Sequence, residues 1–193
     1  VHAVCGFNFR FGVGGCGGPD TLDREFAGNV SVLGPVMCDG VAVSSTAIRH
    51  AVLAGEMEVA AAMLGRPYSL TAQVVRGCSV GGRLGFPTAN QKFPPGKLIP
   101  KAGVYISACV VDGVRRPAVT DVGVRPTFGG EDELRCETHI IGYEAELYGH
   151  TVKTEFYKYL RPECRFESPD KLASAVRADI KFALEYFKKA NIF

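Results

Sequence analysis

The chain has 193 residues, 47% hydrophobic and 22% charged, and 22 Lys and Arg set against 20 Asp and Glu leave a net charge of +2. These are the proportions of an ordinary globular protein, long enough for one domain or two small ones. So even a balance gives no bulk electrostatic case for a nucleic-acid or anionic-membrane partner. No apolar run approaches the ~20 residues of a membrane span, and no basic-then-apolar signal peptide opens the chain.

The seven cysteines (Cys5, Cys16, Cys38, Cys78, Cys109, Cys136 and Cys164) are odd in number and widely spaced. Without a C-x-x-C or a Cys/His cluster they signal neither a zinc site nor a disulfide framework. They point instead to a reducing cytoplasm, with cysteine serving as a small core residue. The chain opens on Val1 rather than Met, which reads as a fragment or processed piece whose first element lacks its natural neighbours.

In chain order, Val1 to Cys5 is a short β-type run leading to Gly6-Phe7-Asn8-Phe9-Arg10-Phe11-Gly12 and the dense glycines 14, 15, 17 and 18. Backbone amides in such a loop can cradle a phosphate. A short helix is expected over Asp20 to Phe26, capped by Asp20. Val30 to Met37 and Val41 to Val43 read as strand pieces. Ser44-Ser45-Thr46 offers N-cap hydroxyls to a helix through Leu53. The alanine-rich segment from Glu56 to Leu64 is helical by propensity, stopped by Gly65 and kept from resuming by Pro67.

From Tyr68 the pattern changes to short runs rich in Val, Ile and Thr between turn signals. They are Leu70 to Val75, Val104 to Val111, Arg116 to Val122, Glu133 to Ile141 and Thr151 to Leu160, with a hairpin at Asp112-Gly113. Repeated short strands at this spacing predict a small antiparallel barrel. Ser168-Pro169 then starts a helix by cap and first-turn proline. Leu172, Val176, Ile180, Leu184 and Phe187 share its apolar face, and Lys188 and Lys189 suit its C-terminal dipole. The predicted architecture is α+β: an α/β segment over 1–64, a linker at 65–68, and a small antiparallel Greek-key β-barrel with a C-terminal helix over 69–193.

Three places could carry chemistry. In Gly85-Phe86-Pro87-Thr88-Ala89-Asn90, Pro87 drives the chain toward extended geometry, which puts Thr88 and Asn90 on one face. A hydroxyl and an amide oxygen are hard, neutral ligands suited to Mg²⁺; on spacing alone a turn with local hydrogen bonds explains them equally. In 134–141, period two places Arg135, Glu137 and His139 on the polar face of a strand, where a carboxylate is ordinarily solvated. Arg161 ends a strand before Pro162, and its planar cation suits flat or anionic partners or a surface ion pair. Arg125-Pro126-Thr127-Phe128-Gly129-Gly130 is a further proline-bracketed loop. There is no G-x-x-x-x-G-K-[ST], no kinase H-R-D or D-F-G set, and no H-x-G-H among His2, His50, His139 and His150.

"GFPTAN" at 85–90, "VGVRPTF" at 122–128, "CETHII" at 136–141, "LYG" at 147–149 and "YLRPECRF" at 159–166 follow one another as in riboflavin kinases, which residues 66–193 therefore resemble. "GFNFRFG" at 6–12 and "VSSTAIR" at 43–49 resemble later motifs of the adenylyltransferase module of bacterial bifunctional riboflavin kinase/FAD synthetases, a Rossmann-like nucleotidyltransferase, whose early half with H-x-G-H is absent.

The resemblance implies phosphoryl transfer from ATP to riboflavin with Mg²⁺. Thr88 and Asn90 would hold the metal and the phosphates, and Glu137 would be the base toward the ribityl 5′-hydroxyl. Gly77 and the 81–85 loop would cover ATP, and Tyr148 would border it. Arg83 is counted with the ATP residues, although relatives place the basic residue one position earlier, at Gly82 here. Arg161, Cys164 through its backbone, and Phe166 would contact the flavin. Ser45, Thr46 and Arg49 would belong to a second, incomplete nucleotide site. FAD synthesis is expected of a complete parent protein and not of this chain alone. A barrel that binds flavin or nucleotide without turnover is the alternative. The even charge and the lack of a basic-aromatic surface argue against an oligonucleotide-binding barrel.

Overall fold

A computed structural model of the chain describes residues 1–77, 80–126 and 132–193. Two compact units form, Val1–Ala47 and Ile48–Phe193. In the first, strand β1 (Ala3–Gly6) lies parallel to β2 (Val30–Leu33), and a 3₁₀ turn (Val13–Gly15) and helix α1 (Pro19–Glu25) connect them. Parallel neighbours need such a crossover. Two strands and a helix make one βαβ unit; they do not establish a Rossmann-like sheet.

Two expectations are corrected here. The cap of α1 is Gly18, with Asp20 inside the first turn, and Thr21 Oγ1 accepts the Gly18 amide at 3.3 Å. The run 30–37 is broken at Gly34-Pro35, because proline cannot continue a hydrogen-bonded strand; Met37–Cys38 (β3) instead pairs antiparallel with Val41–Ala42 (β4). Helix α2 (Ser45–Ala54) begins as expected, with Ser44 Oγ accepting the Ala47 amide at 3.1 Å.

In the second unit, helix α3 (Met57–Leu64) ends on Gly65 at φ 67°, a left-handed cap that suits glycine. Strands β5 (Tyr68–Val75), β6 (Ala89–Lys92), β7 (Gly103–Val111), β8 (Val114–Pro126), β9 (Asp132–Ile140) and β10 (Thr151–Arg161) follow, with a single helical turn, α4 (Val80–Arg83), between β5 and β6. They close an antiparallel barrel in the order β10-β5-β6-β9-β8-β7. β7, β8 and β9 form a meander and β10 returns beside β7, which is a Greek key. Asp112 (φ 51°) and Gly113 (φ 76°) make the predicted two-residue hairpin. β8 is longer than expected, and β6 was legible only as the extended end of the 85–90 loop.

Sequence placed a linker at 65–68, yet the units part between Ala47 and Ile48. The physical reason is burial. Ala51, Val52, Met57 and Ala60, from α2 and α3, join Leu70, Tyr105, Val122, Cys136 and Phe156 in one core cluster.

The barrel interior also holds a polar ladder. Ser107 and Thr120 hydroxyls are 2.7 Å apart, Thr120 and Thr138 2.9 Å, and Thr154 donates to Gln91 Oε1 at 2.7 Å. Gln91 Nε2 then donates to the Ala72 and Val152 carbonyls, both at 2.9 Å. Paired in this way, buried polar groups carry little desolvation penalty.

Outside, helix α5 (Pro169–Ala190) lays Ala183 and Phe187, with Ile180 beside them, on Val104, Ile106, Ala108, Val119 and Tyr157 of the barrel wall. Ser168 caps it, its Oγ accepting the Lys171 amide at 3.3 Å. Leu184 does not share the buried face: it is 45% exposed, and Ala183 takes the inward position. Among the described residues no helix is long and apolar enough to cross a membrane.

Candidate active site

Strand register builds the site. Opposed residues of antiparallel strands share a face. Asn90 on β6 faces Glu137 on β9, and Glu137 faces Asp121 on β8. Asp121 faces Val104 on β7, which faces Arg161 on β10. One row therefore crosses five strands. It lies on the outer surface, because Cys136 and Thr138 on either side of Glu137 are fully buried inside.

Over this row sits a cleft of about 310 Å³. Its floor includes Asp121, Glu137 and Arg161; Leu84 and Phe86 approach from the α4–β6 connection, Leu172 and Val176 from α5, and Cys164 and Phe166 from the segment after β10. A second cleft, of about 170 Å³, opens at the barrel mouth between Val74, Ala89, Ile140 and Leu147, with Tyr143 and Tyr148 at its edge. The Arg76 guanidinium lies 5.6 Å from the Tyr148 ring centre. Thr88 lines both clefts.

Asn90 is 4% exposed, and its Nδ2 donates to the Thr88 carbonyl at 3.2 Å and to Thr88 Oγ1 at 3.3 Å. The expected juxtaposition of the two side chains is present. Gly77 lies against them: a Cβ there would stand 2.5 Å from Asn90 Cγ and Oδ1. At that distance the amide must shift.

His139 Nδ1 donates to the Pro87 carbonyl at 2.9 Å, and Phe86 meets its ring edge-on. It anchors the 85–88 loop to β9.

Arg161 is placed by irregular pairing. The β10–β7 register shifts between Phe156 and Lys158 and again between Tyr159 and Arg161, and such bulges re-aim side chains. Gly103 permits it, because a Cβ there would come 2.6 Å from the Arg161 carbonyl oxygen. Arg161 Nη2 donates to Asp179 Oδ2 at 2.7 Å and Nε reaches both carboxylate oxygens at 3.2 Å. Those hydrogen bonds, and the nearby negative charge, hold the guanidinium above its ordinary range. The guanidinium carbon stands 5.7 Å from the Phe166 ring centre.

Not every expected residue converges. Glu137, Arg161, Cys164 and Phe166 line the larger cleft, Tyr148 the smaller, and Thr88 both. Arg83 is exposed and lines neither. Ser45, Thr46 and Arg49 are exposed on α2 and line neither cleft. Residues 78–79 of the 77–85 loop and 127–130 of the proline-bracketed loop lie outside the described residues. Sequence reasoning missed Asp179, Asp121 and the walls from α5. Asp179 was findable, being the acidic residue three after Val176 and four before Ala183 on the apolar face.

The donor chemistry fits Mg²⁺ arriving on a polyphosphate. Thr88 Oγ1 and the Asn90 amide are adjacent, neutral oxygen donors, and this cation takes most of its ligands from water and phosphate. Among the described residues no cluster of three or more His, Cys, Asp or Glu could cage a metal with protein ligands alone.

The sequence model described as Flavokinase: Riboflavin kinase matches residues 64–187. The chain belongs to the riboflavin kinase family. Among curated relatives, the bifunctional riboflavin kinase/FMN adenylyltransferase of Pseudomonas fluorescens is 34% identical over 185 residues, covering 94% of this chain and 59% of the relative. Its namesake from Listeria monocytogenes is 32% identical over 190 residues, covering 97% and 60%. A solved structure named Macrolide-efflux Protein from Streptococcus pneumoniae superposes with a TM-score of 0.85 at 31% identity, over 92% of this chain and 58% of that one. This riboflavin kinase family member thus spans about 60% of the length of the curated relatives it matches.

Proposed function

We propose that the chain is a riboflavin kinase that transfers the γ-phosphoryl group of ATP to the ribityl 5′-hydroxyl of riboflavin, giving FMN and ADP. The observation that carries this reading is the position of Thr88, which borders both clefts. Phosphoryl transfer requires two substrates to meet in line at one point, and little covalent work from the protein. ATP would occupy the barrel-mouth side beside Tyr148, with Gly77 and the 81–85 turn over it. Riboflavin would occupy the larger cleft, with its ring toward Arg161, Cys164 and Phe166.

Glu137 would accept the hydroxyl proton as the new oxygen–phosphorus bond forms and the bond to the β-phosphate oxygen breaks. Its place in the middle of β9, between β6 and β8, supplies the rigidity that positioning needs. Mg²⁺, held by Thr88 and Asn90 together with the phosphates, would neutralise charge on the transferring group. Thr88 and Asn90 orient one another and add no negative charge beside a polyanion. Leu84 and Phe86 would help to exclude water, a competing nucleophile.

Residues 1–64, whose start forms the βαβ unit, are read as a remnant of an FMN adenylyltransferase domain, with Ser45, Thr46 and Arg49 from its incomplete nucleotide site. The setting is cytoplasmic, in keeping with free Cys5, Cys16, Cys38, Cys109, Cys136 and Cys164. One observation favours a second reading, a barrel that binds without turnover: Arg83 lines neither cleft. Incubation with ATP, Mg²⁺ and riboflavin, followed by chromatography, separates the two. FMN appearing with ADP in equal amounts supports the kinase; bound but unconverted riboflavin rejects it.

A further inference from the structure

Arg161 enters the larger cleft with each of its three guanidinium nitrogens already engaged. Nε and Nη2 bond Asp179, while Nη1 donates to the Pro162 carbonyl at 3.2 Å and to Cys164 Sγ at 3.4 Å. Asp179 is 6% exposed and comes from α5, whose Leu172 and Val176 also line the cleft. An arginine with a free fork binds carboxylates or phosphates edge-on. One whose edge is held by a buried carboxylate is left with a flat face to offer, and here the guanidinium lies over the Phe166 ring, so that the two planar groups stand together in the cleft.

We infer that Asp179 is a positioning residue that converts Arg161 from an anion-binding fork into one wall of a slot for a flat, uncharged ring. This rests on the riboflavin reading of the cleft. It adds a selectivity: the ring end of the slot admits a neutral aromatic and turns away small anions, leaving phosphate groups to the Thr88 side.

The test uses the full chain and four forms: unaltered, Asp179→Asn, Arg161→Ala and the double variant. Riboflavin affinity is read from quenching of flavin fluorescence, which needs no turnover. Asp179→Asn should weaken riboflavin about tenfold with the ATP KM unchanged, and the double variant should bind no worse than Arg161→Ala alone. With its fork released, Asp179→Asn should also let inorganic phosphate compete with riboflavin, whereas the unaltered chain should show no such competition.

Unchanged riboflavin affinity in Asp179→Asn, additive losses in the double variant, or an ATP KM rising in step would overturn the inference. Weakened binding without phosphate competition would reduce Asp179 to a clamp for α5 and overturn it as well. If Asp179→Asn does not fold, Asp179→Glu should retain riboflavin within about threefold, since a carboxylate still reaches the fork; a tenfold loss there counts against it. Riboflavin bound but never converted by the unaltered chain sinks the kinase reading alone, and failure to bind riboflavin at all sinks both.

Discussion

Glu137 and Asn90 face each other across β6 and β9, so the proposed proton acceptor and phosphate-side ligand are held by backbone pairing rather than by mobile loops. General base catalysis contributes about 10²–10⁴-fold. Glu137→Gln keeps size and polarity while removing basicity. It should lower kcat for FMN formation by roughly that factor and leave riboflavin affinity unchanged, as read by flavin fluorescence. A variant that turns over at full rate removes Glu137 from the chemistry. Gly77 offers a second test on the nucleotide side. Its α-position is packed on the Asn90 amide, with no room for a methyl group. Gly77→Ala should raise the KM for ATP about tenfold, corresponding to about 1.4 kcal/mol, with little change in the KM for riboflavin. Equal change in both would mean that the loop deforms as a whole.

At the level of elements, β8 and β10 share a buried carboxylate. Glu155 is 1% exposed and receives Arg115 Nε at 2.8 Å, Lys153 Nζ at 2.6 Å and the Tyr157 hydroxyl at 3.2 Å. Burial acts to raise its carboxyl, but the hydrogen bonds and charges of Lys153 and Arg115 outweigh this and leave it below the ordinary carboxylate range. Its stabilising contribution is then complete above the unfolded value of about 4.3 and is lost as pH falls through the lower folded value. Glu155→Gln should cost about 1–3 kcal/mol at neutral pH, a Tm lower by roughly 3–10 °C. The gap between variant and unaltered chain should close as melting is repeated below about pH 4; a gap independent of pH would assign the loss to packing. How far elements could be read in advance follows from where their information lies. Period two correctly divided β9 into Cys136 and Thr138 inside against Glu137 and His139 outside, and the Asp-Gly pair fixed the β7–β8 hairpin, because both signals are local. The apolar stripe of α5 was legible, but Asp179 within it was not, since its meaning depends on Arg161, placed opposite by a bulge in another element. The packing of α2 and α3 on the barrel was hidden for the same reason: helical propensity says that Met57 and Ala60 lie on a helix, not what covers them.

For the molecule as a whole, the two units differ in how much of an active centre they hold. The barrel unit brings Glu137, Asp121, Val104 and Arg161, from four strands, to the larger cleft, and Thr88 joins that cleft to the smaller one. The unit of residues 1–47 offers one parallel strand pair, one connecting helix, the short antiparallel β3–β4 pair and a glycine-rich turn in which Gly12, Gly14 and Gly15 take positive φ. Parallel strands are stable mainly when both faces are covered, yet Val4, Val32 and Leu33 of this pair are exposed. A nucleotide site of an α/β sheet lies at the carboxyl ends of several strands, and two strands supply little of one. The expected division is therefore functional. Supplied with riboflavin, ATP and Mg²⁺, the chain should make FMN and stop; supplied with FMN and ATP, it should release no pyrophosphate and form no FAD. Chromatography of flavins with a coupled pyrophosphate assay reads both halves in one experiment. FAD in step with pyrophosphate would show that Ser45, Thr46 and Arg49 belong to a working centre, and residues 1–64 would have to be read as more than a remnant.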